Sequence, residues 1–127
     1  MSEIQINFKE MCARFEVTPR TLRYYEYIEL LTPEKDGRTR SYGPREVARM
    51  VLILRGRRFG FSLEEIRQWL EIYEQKGTEA QLSIWVDQAD RQLDALEKQR
   101  QQLDESIFEL QQLRNEAAKA IKANKVR

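Results

Sequence analysis

Val17-Thr18-Pro19-Arg20-Thr21-Leu22-Arg23-Tyr24-Tyr25-Glu26 packs a helix start, a buried stripe and a basic, aromatic face into one uninterrupted run. Thr18 suits the N-cap, because its hydroxyl can accept from a backbone N–H of the first turn. Pro19 fits the first helical position, where a missing N–H loses no bond. Val17 and Leu22 stand at the two positions of a hydrophobic staple that fixes how the chain enters the helix. Leu22 and Tyr25 share one side. Arg20, Arg23, Tyr24 and Tyr27 follow i, i+3, i+4, i+7 spacing on the other. Such a helix suits a nucleic-acid groove: a guanidinium forks onto guanine or phosphate oxygens, and tyrosine carries a hydroxyl on a stiff stem.

Upstream, Phe8, Met11, Cys12 and Phe15 repeat with the spacing of a short amphipathic helix, with Asn7 as cap and Glu10 three residues on. The two helices, joined by a tight turn, make a helix-turn-helix unit. Downstream, Asp36-Gly37 predicts a two-residue hairpin turn between Glu34-Lys35 and Arg38-Thr39-Arg40-Ser41-Tyr42. Arg38, Arg40 and Tyr42 alternate and so share a strand face. A basic hairpin in this place is a wing. Gly43-Pro44 restarts the helix, with Val47, Met50, Val51 and Leu54 toward the core and Arg55, Arg57 and Arg58 at its end. Gly60 breaks it. Ser62-Leu63-Glu64-Glu65 is a capping box, Phe61 can staple to Ile66, and Ile66, Trp69, Leu70 and Tyr73 form the next stripe. Arg57 and Arg58, beside the Phe59-Gly60-Phe61 turn, make a second basic corner, with the two phenylalanines filling the core.

Gly77 is expected to end that helix, and Thr78 with Gln81 offers a further capping pair. Beyond it, Leu82, Val86, Ala89, Leu93, Leu96, Arg100, Leu103, Ile107, Leu110, Arg114, Ala117 and Ile121 recur in steps of four and three without a slip. That is a coiled-coil seam. One helix of about 40 residues, roughly 60 Å long, is predicted. A lone helix cannot bury such a stripe, so a second copy is the simplest cover. Leu82, Val86, Ala89, Leu93, Leu96, Leu103, Ile107 and Leu110 are the expected dimer contacts. Arg100 and Arg114 either fix register or snorkel to the edge. These residues leave parallel and antiparallel pairing both open. The fold class is therefore mainly α, a winged helix-turn-helix domain over residues 1–76 and a dimerisation helix over 77–127.

The net charge of +1 conceals an asymmetry: residues 1–60 carry 12 Lys/Arg against 8 Asp/Glu, and residues 61–127 carry 10 against 13. The first half suits a polyanion. One cysteine, Cys12, and no histidine exclude an intramolecular disulfide framework and an ordinary Cys/His metal site. Cys12 lies inside an apolar stripe and reads as a small core residue. Without histidine or a thiol pair, enzyme activity has little to rest on; Glu64-Glu65 read as charges at a helix N-terminus. No apolar run reaches the ~18 residues of a membrane span, and no signal-peptide pattern opens the chain. A soluble cytoplasmic protein without a cofactor is expected.

Taken in order, these elements resemble the mercury-resistance regulator (MerR) family of bacterial transcription factors. The specific part is the run from Val17 to Glu26, supported by Arg38…Arg40-Ser41-Tyr42 and Phe59-Gly60-Phe61-Ser62-Leu63-Glu64-Glu65-Ile66. The resemblance implies a homodimer held by an antiparallel coiled coil, with a winged helix-turn-helix at each end. It further implies a pseudo-palindrome in a promoter whose spacer is overlong, bent and untwisted so that RNA polymerase can engage both elements. Carried over, the segment from Thr18 to Tyr27 would enter the major groove. Arg20 would meet a base edge; Arg23, Tyr24, Tyr25 and Tyr27 would meet or support phosphates. Arg38, Arg40 and Tyr42 on the wing, and Arg57 and Arg58 at the corner, complete the expected DNA face. Tyr25 has a second reading in the core, since it shares a side with Leu22.

The metal, redox and multidrug members of the family use cysteines, histidines or an added C-terminal domain, and this chain has none of these after Cys12. What is left is a small organic effector, for which Trp69, Tyr73 and Trp85 are candidate walls, or no effector. The safer reading of the same three aromatics is packing where the short and long helices meet. Two other functions compete: an architectural, excisionase-like DNA-bending protein, and a coiled-coil adaptor that docks a protein on residues such as Glu97, Asp104 and Glu105.

Overall fold

The computed structural model describes residues 5–126. In chain order the elements are β1 (Ile6–Asn7), α1 (Phe8–Phe15), α2 (Pro19–Tyr27), β2 (Glu34–Asp36), β3 (Thr39–Tyr42), α3 (Pro44–Phe59), α4 (Leu63–Gln75) and α5 (Glu79–Val126). They fall into two compact units, Met1–Trp85 and Val86–Arg127, so the first turns of α5 belong with the first.

Local chemistry starts each helix. Asn7 Oδ1 accepts from the Glu10 N–H at 2.8 Å, and Thr18 Oγ1 accepts from the Thr21 N–H at 3.1 Å with Pro19 at the start of α2. Ser62 and Glu65 exchange both bonds of a capping box, and Thr78 and Gln81 do the same before α5. α3 stops because Gly60 adopts φ 93°, open to glycine without strain, and returns its N–H to Arg57. α4 ends on Lys76, itself left-handed at φ 50°, one residue before the expected Gly77.

The small sheet departs from expectation in two ways. Its order is β1-β3-β2, all antiparallel, with Ile6 opposite Tyr42 and Asp36 opposite Thr39. Asp36 therefore belongs to the ladder, and the turn is Gly37-Arg38, shifted by one residue; Gly37 supplies the φ of 65° that the turn needs. The two-residue β1 was not expected at all. It is too short to show alternation, and its partner lies far along the chain.

The core gathers Met11 of α1, Leu22 and Tyr25 of α2, Leu30, Leu31, Tyr42 of β3, Met50 and Ile53 of α3, Phe61, and Ile66 and Leu70 of α4. Full burial of one such side chain contributes about 1.5–3 kcal/mol. Buried Glu46 accepts the Thr32 N–H at 2.9 Å and pairs with Arg45 at 2.6 Å. Arg49 donates to the Leu30 carbonyl at 2.9 Å and pairs with Glu74 at 2.6 Å, while Arg67 donates to the Ile28 carbonyl. These three bonds fasten the turn after α2 onto α3 and α4. Trp69 and Trp85 stack, ring centroids 6.5 Å apart and planes 27° apart.

α5 is a single helix of 48 residues, about 72 Å at 1.5 Å per residue and longer than expected. Its seam side chains Leu82, Val86, Leu93, Leu103, Ile107 and Leu110 are exposed, and Ala89 and Leu96 are partly covered. No helix among the described residues is long and apolar enough to cross a membrane.

Candidate nucleic-acid interface

α2 is held by its inner side and free on its outer one. Leu22 and Tyr25 point into the core, leaving Arg20, Arg23, Tyr24 and Tyr27 outside; Tyr27 is 83% exposed and Tyr24 50%. Arg20, Thr21, Arg23, Tyr24, Tyr25, Tyr27, Arg57 and Leu63 line one open groove of about 610 Å³. The groove thus joins the outer face of α2 to the end of α3. Three guanidiniums and two phenols around an open concavity can take phosphate and base edges together, as charge-assisted and directional bonds. Thr18 lies exposed at the mouth of α2, with its hydroxyl committed to the cap and to Thr21 at 2.9 Å.

Four expected contacts are placed otherwise. Tyr25 is 6% exposed and belongs to the core, as its shared side with Leu22 allows, while it also lines the groove. Tyr42 is completely buried, and its phenol donates to Glu26 Oε2. Burial, then the Glu26 bond and charge, push that phenol well above the usual tyrosine range. Arg40 turns the same way: its Nε lies 2.7 Å from Glu26 Oε1 and its guanidinium lies over the Phe8 ring at 5.6 Å. Alternation places Arg40 and Tyr42 on one face of β3, and that face looks inward at α2. Arg58 parts from Arg57 and lines a separate hollow with Phe15, Val51, Leu54 and Arg55. Arg38, in the hairpin turn, is exposed.

Glu26 and Phe8 are the residues that sequence reasoning missed. Glu26 closes the quoted run and receives both Arg40 and Tyr42; Phe8 carries Arg40 on one approach and Arg23, at 5.3 Å, on another. A carboxylate between exposed Tyr24 and Tyr27 gives no local sign of a strand partner. Cys12 is half-buried; burial raises its thiol pKa, with Arg23 opposing. Trp69 and Trp85 fill one another's space by stacking, whereas Tyr73 lines a hollow of about 440 Å³ with Arg45, Ala48, Arg49, Leu52 and Glu74. Among the described residues no cluster of His, Cys, Asp or Glu could hold a metal ion.

Two helices at a tight turn, a hairpin carrying an exposed arginine and a basic groove on one face define a winged helix-turn-helix protein. The model of MerR HTH family regulatory proteins matches residues 6–72, and the MerR DNA-binding model matches residues 47–116. The chain belongs to the MerR family, whose members are transcriptional regulators and not enzymes.

Among relatives, the HTH-type transcriptional regulator HmrR of Rhizobium leguminosarum bv. viciae is 40% identical over 72 residues, 56% of each chain. The chain spans about half the length of the curated relatives it matches. A MerR family transcriptional regulator from Bacillus cereus superposes with a TM-score of 0.64 at 25% identity, over 82% of this chain and 75% of that one. HiNmlR, a MerR family regulator lacking the sensor domain and bound to promoter DNA in its crystal, superposes at 0.62 over 80% of each chain. At 20% identity that likeness is one of fold.

Proposed function

We propose that this chain is a sequence-specific regulator that binds promoter DNA as a homodimer and distorts the duplex to control RNA polymerase. The observation that carries this reading is the groove in which Arg20, Arg23, Tyr24, Tyr27 and Arg57 converge from α2 and α3. α2 lies in the major groove, with Arg20 on a base edge and the tyrosines and Arg57 on phosphates. Arg38 reaches the flanking backbone from the hairpin turn. A dimer carries two such units, so its site is a pseudo-palindrome. The exposed seam of α5, from Leu82 through Leu110, is the face that a second copy covers. Such a protein works in the cytoplasm, on the nucleoid.

Binding to genomic fragments at graded salt tests this. Retained fragments should share a pseudo-palindrome, and affinity should fall steeply as salt rises, because each neutralised phosphate releases counterions. Arg20→Ala should cost about 1–3 kcal/mol and relax preference at one base position. Arg38→Ala should weaken all sequences alike and lower the salt slope by about one. Retention without a shared motif would favour the DNA-bending reading instead. No retention at low salt would refute DNA binding.

A further inference from the structure

Two arginines share the Phe8 ring: the Arg23 guanidinium lies 5.3 Å from its centroid and that of Arg40 5.6 Å. Their charges meet different fates. Glu26 follows Arg23 by three residues on α2, the spacing at which a helical ion pair forms. Both oxygens of Glu26 are taken elsewhere, Oε1 by Arg40 at 2.7 Å and Oε2 by the Tyr42 phenol. Arg23 is left without an ion pair among the described residues. It is exposed and lines the groove with Arg20 and Tyr27. The other two arginines that lie over rings, Arg14 and Arg58, are chain neighbours of their partners Phe15 and Phe59. Phe8 instead meets side chains of α2 and β3, far from it in sequence.

We infer that Phe8 is a positioning residue for DNA binding: its ring holds the Arg23 guanidinium at the groove, with its charge uncancelled, for a phosphate. The inference rests on the DNA reading above and adds to it the phosphate contact of Arg23 and the residue that aims it. A carboxylate in place of the ring would also hold Arg23, but a phosphate would have to displace it. The face of an aromatic ring attracts a guanidinium through its quadrupole and carries no net charge. A guanidinium so held keeps the N–H groups along its edge free to donate to phosphate oxygens. An unheld arginine loses its rotamer freedom at the moment of binding, and the ring removes part of that loss beforehand. The ring is itself fixed from two sides. Asn7, next to it, caps α1 by accepting from the Glu10 N–H, and Ile6 and Asn7 pair with Tyr42 and Ser41 of β3. Phe8 thus ties the aim of an α2 side chain to the strand that carries Arg40.

The test measures affinity at graded salt for the genomic fragment that the unaltered chain retains at the highest salt. Arg23→Ala should weaken binding roughly tenfold and lower the salt slope by about one. Phe8→Leu keeps an apolar side chain without the ring. It should weaken binding roughly fivefold and leave the slope unchanged, because the guanidinium is still present. Phe8→Tyr, which keeps the ring, should bind within about twofold of the unaltered chain. With Arg23→Ala already in place, Phe8→Leu should cost nothing more. An equal loss in that background would mean that Phe8 supports the fold at large, and this overturns the inference. Full affinity in Phe8→Leu, or in Arg23→Ala, overturns it too. If Phe8→Leu has no tryptophan melting transition, a pentafluorophenyl side chain at position 8 takes its place. That ring has nearly the same shape but the opposite charge on its face, so binding should weaken as for Phe8→Leu; full affinity overturns the inference. If the unaltered chain retains no fragment, the DNA reading falls and this inference with it. If Arg23→Ala weakens binding and the ring changes do not, the inference alone falls.

Discussion

The two units of this chain treat the same sequence pattern in opposite ways. In the first, Met11, Leu22, Met50, Ile53 and Ile66 each belong to the apolar stripe of a short helix and are wholly buried. In α5, Leu93, Leu103 and Leu110 repeat just as regularly and stay more than 60% exposed. Helical periodicity states that a face needs cover; it does not state where the cover comes from. For α1 to α4 it comes from short neighbours folded back by capped turns. For α5 the seam side chains Leu93, Leu103 and Leu110 lie exposed, so its stability depends on whatever docks on the seam.

The sharpest way to break this contrast is to make the same kind of truncation in both regions. Met50→Ala empties a site with no exposure and should cost about 2–5 kcal/mol, lowering the melting temperature of the first unit. That shift should be independent of protein concentration. Trp69 and Trp85, the only two tryptophans, both lie in the first unit, so their fluorescence reports on it. Leu103→Ala should leave the tryptophan transition in place and lower the far-ultraviolet circular dichroism transition of the helix, by about 2 kcal/mol per subunit. Its midpoint should move with concentration. A concentration-independent loss at Leu103 would mean that α5 is covered from within its own chain.

The next contrast lies inside the first unit, between an arginine that touches DNA in the proposed reading and one that does not. Arg38 is free on the hairpin turn, whereas Arg40 is held by Glu26, which also receives Tyr42. Glu26→Gln removes the charge that Arg40 faces and should cost about 1–3 kcal/mol of stability. It should weaken DNA binding by loosening β3 from α2 while leaving the salt slope unchanged. Arg38→Ala should do the reverse, changing the slope and sparing stability. If Arg40→Ala lowered the salt slope as Arg38→Ala does, Arg40 would be a phosphate contact after all.

These pairs also mark what was legible beforehand. Caps at Asn7, Thr18, Ser62 and Thr78 could be read because donor and acceptor sit three residues apart, and each is formed. The outer face of α2 could be read for the same reason, since a helix fixes which residues share a side. The wing resisted. Alternation groups Arg40 with Tyr42, but the side on which they lie is decided by Glu26, 16 residues before Tyr42, and by the pairing of β3 with Ile6–Asn7. Arg49 with Glu74, and Arg67 with the Ile28 carbonyl, were hidden likewise, because a long basic side chain gives no sign of which distant turn it will fasten.

The smallest expected effect is a pH dependence confined to the first unit. Partial burial raises the Glu74 pKa, but the Arg49 bond and charge, with Arg45 at 3.1 Å, outweigh this and hold the carboxyl below its usual range. A carboxyl whose folded pKa is depressed stabilises the fold above its unfolded pKa. That stability is lost as pH falls through the ordinary carboxylate range toward the lowered folded value. Glu74 joins α4 to Arg45 and Arg49 of α3, so its protonation should loosen those two helices. Glu74→Gln should lower the tryptophan-reported melting temperature at neutral pH and flatten its decline in acid. The helix transition should keep its own acid response in that variant. An unchanged acid limb in the tryptophan signal would mean that other carboxylates govern it, and that Glu74 fastens α3 to α4 too weakly to matter.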